Sequence, residues 1–255
     1  MATISGVIIT FNEEANIGRC LDSLQPVVDE LIVVDSFSTD NTRAICEARG
    51  ATFLEHPFEG HIQQKNYAWE QANSAYILSL DADEALSEAL KASLLAAKPK
   101  LEKDGYAFNR LTNYCGQWIR HSGWYPDAKI RLFRKGKGRW QGTNPHDKYL
   151  TDDPHNVGHL AGDLLHYTFY TVEQHWQQVH KFTDISSQAM FAQGKRSSWL
   201  RIVFSPMAKF IRNYLLHRGF MDGKMGFQIC RISAHATYLK YRKLLRLQIQ
   251  ARHER

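Results

Sequence analysis

Residues 75–84 read Ala-Tyr-Ile-Leu-Ser-Leu-Asp-Ala-Asp-Glu, and they decide the fold. Tyr76 to Leu80 is a short apolar run of the kind that forms a buried strand. It stops at two acids one residue apart, Asp81 and Asp83, with Ala82 between them and Glu84 after. In open α/β sheets ligands bind at the carboxyl ends of the strands, so the pair is expected at a ligand site. Two carboxylates this close repel each other unless a positive charge sits beside them. A divalent cation, Mg²⁺ or Mn²⁺, bridging to a diphosphate supplies that charge through oxygen ligands. The alternative is a solvated helix start, with Asp81 as N-cap and Asp83 and Glu84 facing the helix dipole.

Upstream of this stretch, strands and helices alternate. Residues 6–11 form a first apolar strand, 30–35 a second ending in Asp35, and 51–54 a third. Helical patterns fill 15–25, 42–49 and 62–74, and 75–80 is the fourth strand. That alternation predicts an α/β fold with a mostly parallel, doubly wound sheet. No Gly-x-Gly-x-x-Gly follows the first strand and no Walker loop occurs, which disfavours dinucleotide and P-loop sites. A further helix is expected over 87–98, short strands with Gly, Asn and Pro turns from about 105 to 170, and a helix over 171–193.

The net charge of +6 hides an asymmetry. Residues 195–255 hold 14 Lys and Arg against only Asp222 and Glu254, a net of +12, so the first 194 residues carry −6. A basic appendage of this kind binds anionic membranes or nucleic acid, or is simply solvated. Within it Met207, Phe210, Ile211, Tyr214 and Leu215 form an apolar stripe at helical spacing, after a start at Ser205-Pro206. Residues 227–250 resume a basic helix, and the pair suits an anionic membrane surface. No apolar run reaches the roughly 20 residues of a spanning helix. No signal peptide is expected, and the scattered Cys20, Cys46, Cys115 and Cys230 suit a reduced, cytoplasmic protein. The histidines, His166 among them, fit no standard ligand spacing, so no histidine metal site is expected.

Three further stretches carry polar groups to strand ends. Thr10-Phe11-Asn12-Glu13 leaves the first strand in a turn that can grip a base or ribose. Asp35 can bind a ribose hydroxyl pair, while Ser38 and Asp40 either bind with it or shape the loop and cap the next helix. Lys65 can reach a diphosphate and Asn66 the nucleotide, unless Lys65 is an exposed lysine on an amphipathic helix.

Taken together and in order, Thr10-Phe11-Asn12-Glu13, Asp35-Ser36-Phe37-Ser38-Thr39-Asp40, Gln64-Lys65-Asn66 and Asp81-Ala82-Asp83 resemble the family-two glycosyltransferases of GT-A fold. The likeness covers residues 4–150. It implies donor-binding roles for Thr10, Phe11, Asn12, Glu13, Asp35, Ser38, Lys65, Asp81 and Ala82, with Asp83 on the metal of the diphosphate. The later stretches Gly123-Trp124-Tyr125-Pro126-Asp127, Ile130-Arg131-Leu132-Phe133-Arg134, Trp140-x-Gly142-x-x-Pro145-His146-Asp147 and Gly219-Phe220-Met221-Asp222-Gly223 are similar to lipopolysaccharide-core glucosyltransferases of the WaaE/KdtX type. That subgroup carries His-Glu where this chain has His146-Asp147.

The resemblance implies a catalytic domain over 1–194, with a nucleotide-sugar half at 1–100 and an acceptor half at 101–194, plus the appendage 195–255. It implies an inverting transfer of a hexose, glucose foremost, from a UDP-type donor to an inner-core heptose, at the inner face of a bacterial membrane. Inversion needs a base for the acceptor hydroxyl, and Asp147 is the candidate. Trp124, Tyr125 and Arg131 are the acceptor candidates, although the aromatics can equally be core and Arg131 can pair with Asp127. Transfer to another cell-surface glycan is the nearest alternative. A haloacid-dehalogenase-type phosphatase wants Thr or Val at position 85, where this chain has Ala85, and places its Asp-x-Asp on the first strand. A nucleic-acid-binding role is disfavoured because the tail's aromatics lie on its apolar stripe instead of interleaving with its cations.

Overall fold

The computed structural model describes residues 2–143 and 146–253. These fall into two compact units, 1–111 with 127–166, and 112–126 with 167–255. Residues 112–126 and 167–194 group with the basic segment in the second unit.

In the first unit the expected alternation forms in order. Strands β1 (Ile4–Thr10), β2 (Glu30–Asp35), β3 (Thr52–Glu55) and β4 (Tyr76–Asp81) alternate with helices α1 (Ile17–Leu24), α2 (Thr42–Glu47) and α3 (His61–Glu70). They pair in parallel in the order β3-β2-β1-β4, with Thr10 beside Asp35 and Ile9 beside Asp81. The crossover in strand order thus lies between β1, which ends at Thr10, and β4, which ends at Asp81, where ligands bind in doubly wound sheets. After β5 (Glu84–Leu86) and α4 (Glu88–Ala97) the chain changes direction. Strand β8 (Ala128–Arg134) pairs antiparallel with β4 and with β6 (Gly105–Tyr114). Strand β11 (Val157–Phe169) follows β6 in the sheet and pairs antiparallel with β5. A separate hairpin joins β9 (Gly138–Thr143) to β10 (His146–Thr151).

Strand alternation splits the core into two faces. Ile4, Ile8, Val33, Leu78 and Leu80 pack on one side with Cys20, Leu21 and Leu24 of α1. Val7, Ile32, Val34 and Ile77 pack on the other with Ala68 and Ala72 near the end of α3 and with Trp140 and Tyr149 of the hairpin. Asp81 has the parity of Ile77, so its side chain emerges on the α3 side. Asp35 has the parity of Val33 and is directed to the opposite side.

The second unit contains β7 (Gln117–Ile119), antiparallel to the end of β6, and helices α5 (Val172–Ala192), α6 (Trp199–Ile211) and α7 (Gly223–His253). α5 is closed at its start by a capping box between Thr171 and Gln174. α6 begins at Trp199 on the N-cap Ser198, and Pro206 lies inside it; the expected start at Ser205-Pro206 is corrected. A turn of π-helix and a 3-10 turn at Gly219–Asp222 lead into α7. At Gly226 a side chain would strike the Gly219 carbonyl, and at Gly219 one would crowd Cys230 Sγ and the Asn213 carbonyl, which explains both glycines. The core here is Tyr114, Ile119, Phe169 and Ile229.

Candidate active site

The site is built where β4 ends. No helix starts at Asp81, because α4 is capped instead by Ser87, whose hydroxyl accepts from the Leu90 N–H. Asp81 is held by two cations. Lys65 Nζ lies 2.8 Å from Asp81 Oδ1, and Arg131 Nη2 donates to Asp81 Oδ2 at 2.7 Å. Both cations are shared. Lys65 also donates to Asp147 Oδ2 at 2.7 Å, and Arg131 Nη2 to Glu84 Oε1 at 2.7 Å. Three acids are thus bridged by two bases. Lys65 is only 4% exposed, so it is no surface lysine of an amphipathic helix. Desolvation raises the Asp81 carboxyl, but Arg131 and Lys65 outweigh it and hold it well below the usual carboxylate range.

Trp140 floors this cluster. The Lys65 ammonium lies 4.4 Å from its ring centroid and the Arg131 guanidinium 5.4 Å. Asn66 fixes the Trp140 backbone, donating to its carbonyl and accepting from its N–H, both at 3.0 Å. Asn66 is therefore a clamp on β9, which corrects its expected contact with a nucleotide. Arg131 pairs with Asp81 and Glu84, while Asp127 pairs with Arg110 and Lys129.

Asp83 stands apart from this network. Its Oδ2 lies 3.2 Å from His166 Nε2 of β11. Sequence spacing missed His166, because 83 residues of chain separate it from Asp83; the pairing of β11 with β5, His166 opposite Glu84, brings it in. The Nδ1 of His166 is buried with no partner among the described residues. No three His, Cys, Asp or Glu side chains among the described residues converge as a metal cage. The Asp83 carboxylate still fits a divalent ion, because Mg²⁺ sites in enzymes that act on phosphates take one or two carboxylates and complete themselves from substrate phosphates and water, and the imidazole beside it can add a nitrogen ligand.

The loops after β1 and β2 are stitched together beside these acids. Asp35 is buried and accepts from the Ser38 N–H at 2.6 Å and from the Ser38 hydroxyl. The Ser38 hydroxyl accepts from the Asn12 N–H at 2.7 Å, and the Asn12 side chain accepts from the Thr39 N–H at 2.8 Å. Asp40 accepts from the Glu14 N–H at 3.0 Å. Asn12 and Phe37 adopt left-handed backbone conformations, φ 54° and 63°. Phe11 and Phe37 are more than half exposed at the ends of their strands. Ser38 and Asp40 thus hold these loops together. Thr10 is buried with its hydroxyl unpartnered among the described residues, and Ala82 is buried. Burial raises the Glu13 carboxyl against the hydrogen bond from Asn16, with Asp83, Asp40 and Asp81 adding to the rise.

Trp124 and Tyr125 are not among the residues gathered here. They belong to the second unit, where Trp124 packs edge-on against Tyr114 and His175, and Tyr125 lies under Arg120. Asn144 and Pro145, part of the sequence pattern before Asp147, lie outside the described residues.

The profile of glycosyl transferase family 2 matches residues 5–162, which include every residue of this site except His166. The chain belongs to that family. It is a glycosyltransferase, and its parallel β3-β2-β1-β4 sheet with an antiparallel extension is the GT-A fold. It is 29% identical over 251 residues to the lipopolysaccharide core biosynthesis glycosyltransferase LpsC of Rhizobium meliloti, covering 94% of this chain and 91% of LpsC. It is 30% identical to an uncharacterized glycosyltransferase of Rickettsia typhi, covering 99% of this chain and 90% of that one. Among solved structures, glucosyl-3-phosphoglycerate synthase of Mycobacterium tuberculosis, bound to Mn²⁺, UDP and its product, is 26% identical over 44% of each chain with a TM-score of 0.37. S. aureus TarS is 20% identical over 52% of this chain and 28% of its own, with a TM-score of 0.39. No helix among the described residues is long and apolar enough to cross a membrane.

Proposed function

We propose that this glycosyltransferase moves a hexose from a UDP-type nucleotide sugar to a lipopolysaccharide inner-core sugar, with inversion and with a divalent metal bound. The observation that carries the reading is that the end of β4 carries both Asp83, paired with His166, and Asp81, held by the lysine that also pairs with Asp147. The nucleoside fits against the loops after β1 and β2, with Asp35 and Asn12 fixed by Ser38. Asp83 and His166 hold the metal, which when bound neutralises charge on the departing diphosphate. Lys65 orients the carboxylates it bridges. When it turns toward the diphosphate, Asp147 is freed to take the proton of the acceptor hydroxyl. The kinship with LpsC, a lipopolysaccharide core biosynthesis glycosyltransferase, at 29% identity over nearly the whole chain, supports a core-sugar acceptor.

Calorimetric titration with UDP, with and without Mn²⁺, tests the donor site. The expected result is binding that needs the metal and is lost in Asp83→Ala. Silence with UDP, GDP, ADP and CMP alike overturns the reading. Transfer onto purified core acceptors from UDP-glucose then tests the sugar and the acceptor.

A further inference from the structure

The basic C-terminal segment is not uniform in the structure. α7 is a packed helix: Ile229, Cys230, Ile232 and Leu244 are buried along it. α6 is different. Its sequence, Trp-Leu-Arg-Ile-Val-Phe-Ser-Pro-Met-Ala-Lys-Phe-Ile, is apolar nearly all round. Ile202 is buried, and Phe210 packs against Phe227 of α7. The opposite side has no cover among the described residues. Trp199 is 74% exposed, Leu200 69%, Phe204 60% and Met207 55%, with Val203 and Ile211 about half exposed. At about 100° per residue these six span an arc of roughly 140°. The exposure continues through Leu215, Leu216, Phe220 and Met221. The stripe expected from sequence is thus split: Phe210 and Tyr214 face Phe227, while Met207, Ile211 and Leu215 face outward.

A soluble helix has a polar outer face, and this one does not. Its cations stand at the edge of the arc. Arg201 and Arg212 follow it around the helix, and Arg218 is exposed in the turn beyond. A groove of about 400 Å³ between α6 and α7 is lined by Val203, Pro206 and Ala234 with Arg231, His235 and Tyr238. From 195 to 253 the one acid is Asp222, and it is buried and engaged by neighbouring donors. An apolar arc rimmed by cations complements an anionic lipid surface, where apolar side chains enter the acyl boundary and arginines meet phosphates. A second copy of the chain fits less well, because it would bring two strongly basic segments together.

We propose that the outer face of α6, continued through Leu215 to Met221, lies in the plane of an anionic bilayer, with Trp199, Leu200, Phe204 and Met207 inserted. This names the membrane-contacting face within the reading of a lipid-linked acceptor, yet it stands on α6 alone.

The test is co-sedimentation of the full chain with phosphatidylcholine vesicles, with and without 30% phosphatidylglycerol, a mole fraction of roughly the anionic content that attracts basic segments. Binding is expected to the anionic vesicles and to weaken with salt. The double variant L200S/F204S changes only exposed side chains and is expected to lower binding at least tenfold, about the worth of one apolar side chain. Arg201→Gln and Arg212→Gln are each expected to lower it about fivefold. Unchanged binding in L200S/F204S overturns the proposal. So does a concentration-dependent dimer that this variant abolishes while vesicles are ignored, since a second copy then covers the face. Vesicle binding with no binding of UDP, GDP, ADP or CMP would sink the proposed function and leave this inference standing.

Discussion

Each unit holds an aspartate at the centre of a polar cluster, and the two are built on opposite plans. In the second unit Asp222 accepts from the Arg120 and His121 N–H groups at 3.1 and 3.0 Å, from His121 Nδ1 at 3.0 Å and from the Ser122 hydroxyl at 3.0 Å. Two of these donors are backbone, and every one is local to a single turn. In the first unit Asp81 is met by Lys65 and Arg131, and each of those also holds a second acid. A carboxylate fixed by backbone N–H groups cannot change partners. Charges shared among long side chains can be redistributed when a ligand arrives. The first cluster is suited to chemistry and the second to holding a loop still.

The contrast can be broken most directly at Asp147. Asp147→Asn is expected to lower transfer by about 10²- to 10⁴-fold while leaving metal-dependent UDP binding intact. Steady-state rates and calorimetry on the same preparation check both halves, and normal turnover would remove Asp147 from the mechanism. Next is Arg131→Met, which leaves the fully buried Glu84 with the Asp81 N–H at 3.0 Å and, among the described residues, a single cation, Arg110, 3.7 Å away. It is expected to cost about 3–5 kcal/mol in urea unfolding, and Arg131→Met/Glu84→Leu to recover part of that.

Asp222→Asn sharpens the comparison from the other side. The amide's NH₂ faces groups that themselves donate, so a loss of about 2–3 kcal/mol is expected, with UDP affinity unchanged. An equal fall in UDP affinity would show that the second cluster also shapes the donor site. The smallest effect concerns His175, which burial pushes down from 6.5 to about 4 and whose Nδ1 lies 3.0 Å from the Tyr114 hydroxyl. A depressed histidine is protonated more readily in the unfolded chain, so stability falls as pH drops below 6.5. Between pH 6.5 and 5.5 the loss is expected to be about 1 kcal/mol, read from urea midpoints, and absent in His175→Gln.

Much of the first unit was legible from local pattern. Each parallel strand is a short apolar run ended by a polar residue, and each helix has its own periodicity, so β1 to β4 and the positions of Asp35, Asp81 and Asp83 followed from the chain itself. Boundaries moved by a residue or two, as with the first strand, expected at 6–11 and found at Ile4–Thr10. Less was legible in the second unit. The sequence division at 194 followed the charge, whereas compactness follows packing, which joins α5 to α7 through contacts such as Lys243 Nζ with Asp184 at 2.7 Å.

By itself the sequence determined the family, the parallel α/β order, the strand-end acids and the basic character of residues 195–255. These depend on residues close together in the chain, where spacing stands in for geometry. Only the tertiary structure decided what those acids touch: His166 on Asp83, Lys65 shared between Asp81 and Asp147, Arg131 on Glu84, and Asn66 turned away to Trp140. It also decided which face of α6 is left bare. Strand pairing and helix packing bring together residues far apart in sequence, and no local periodicity records which partners they meet.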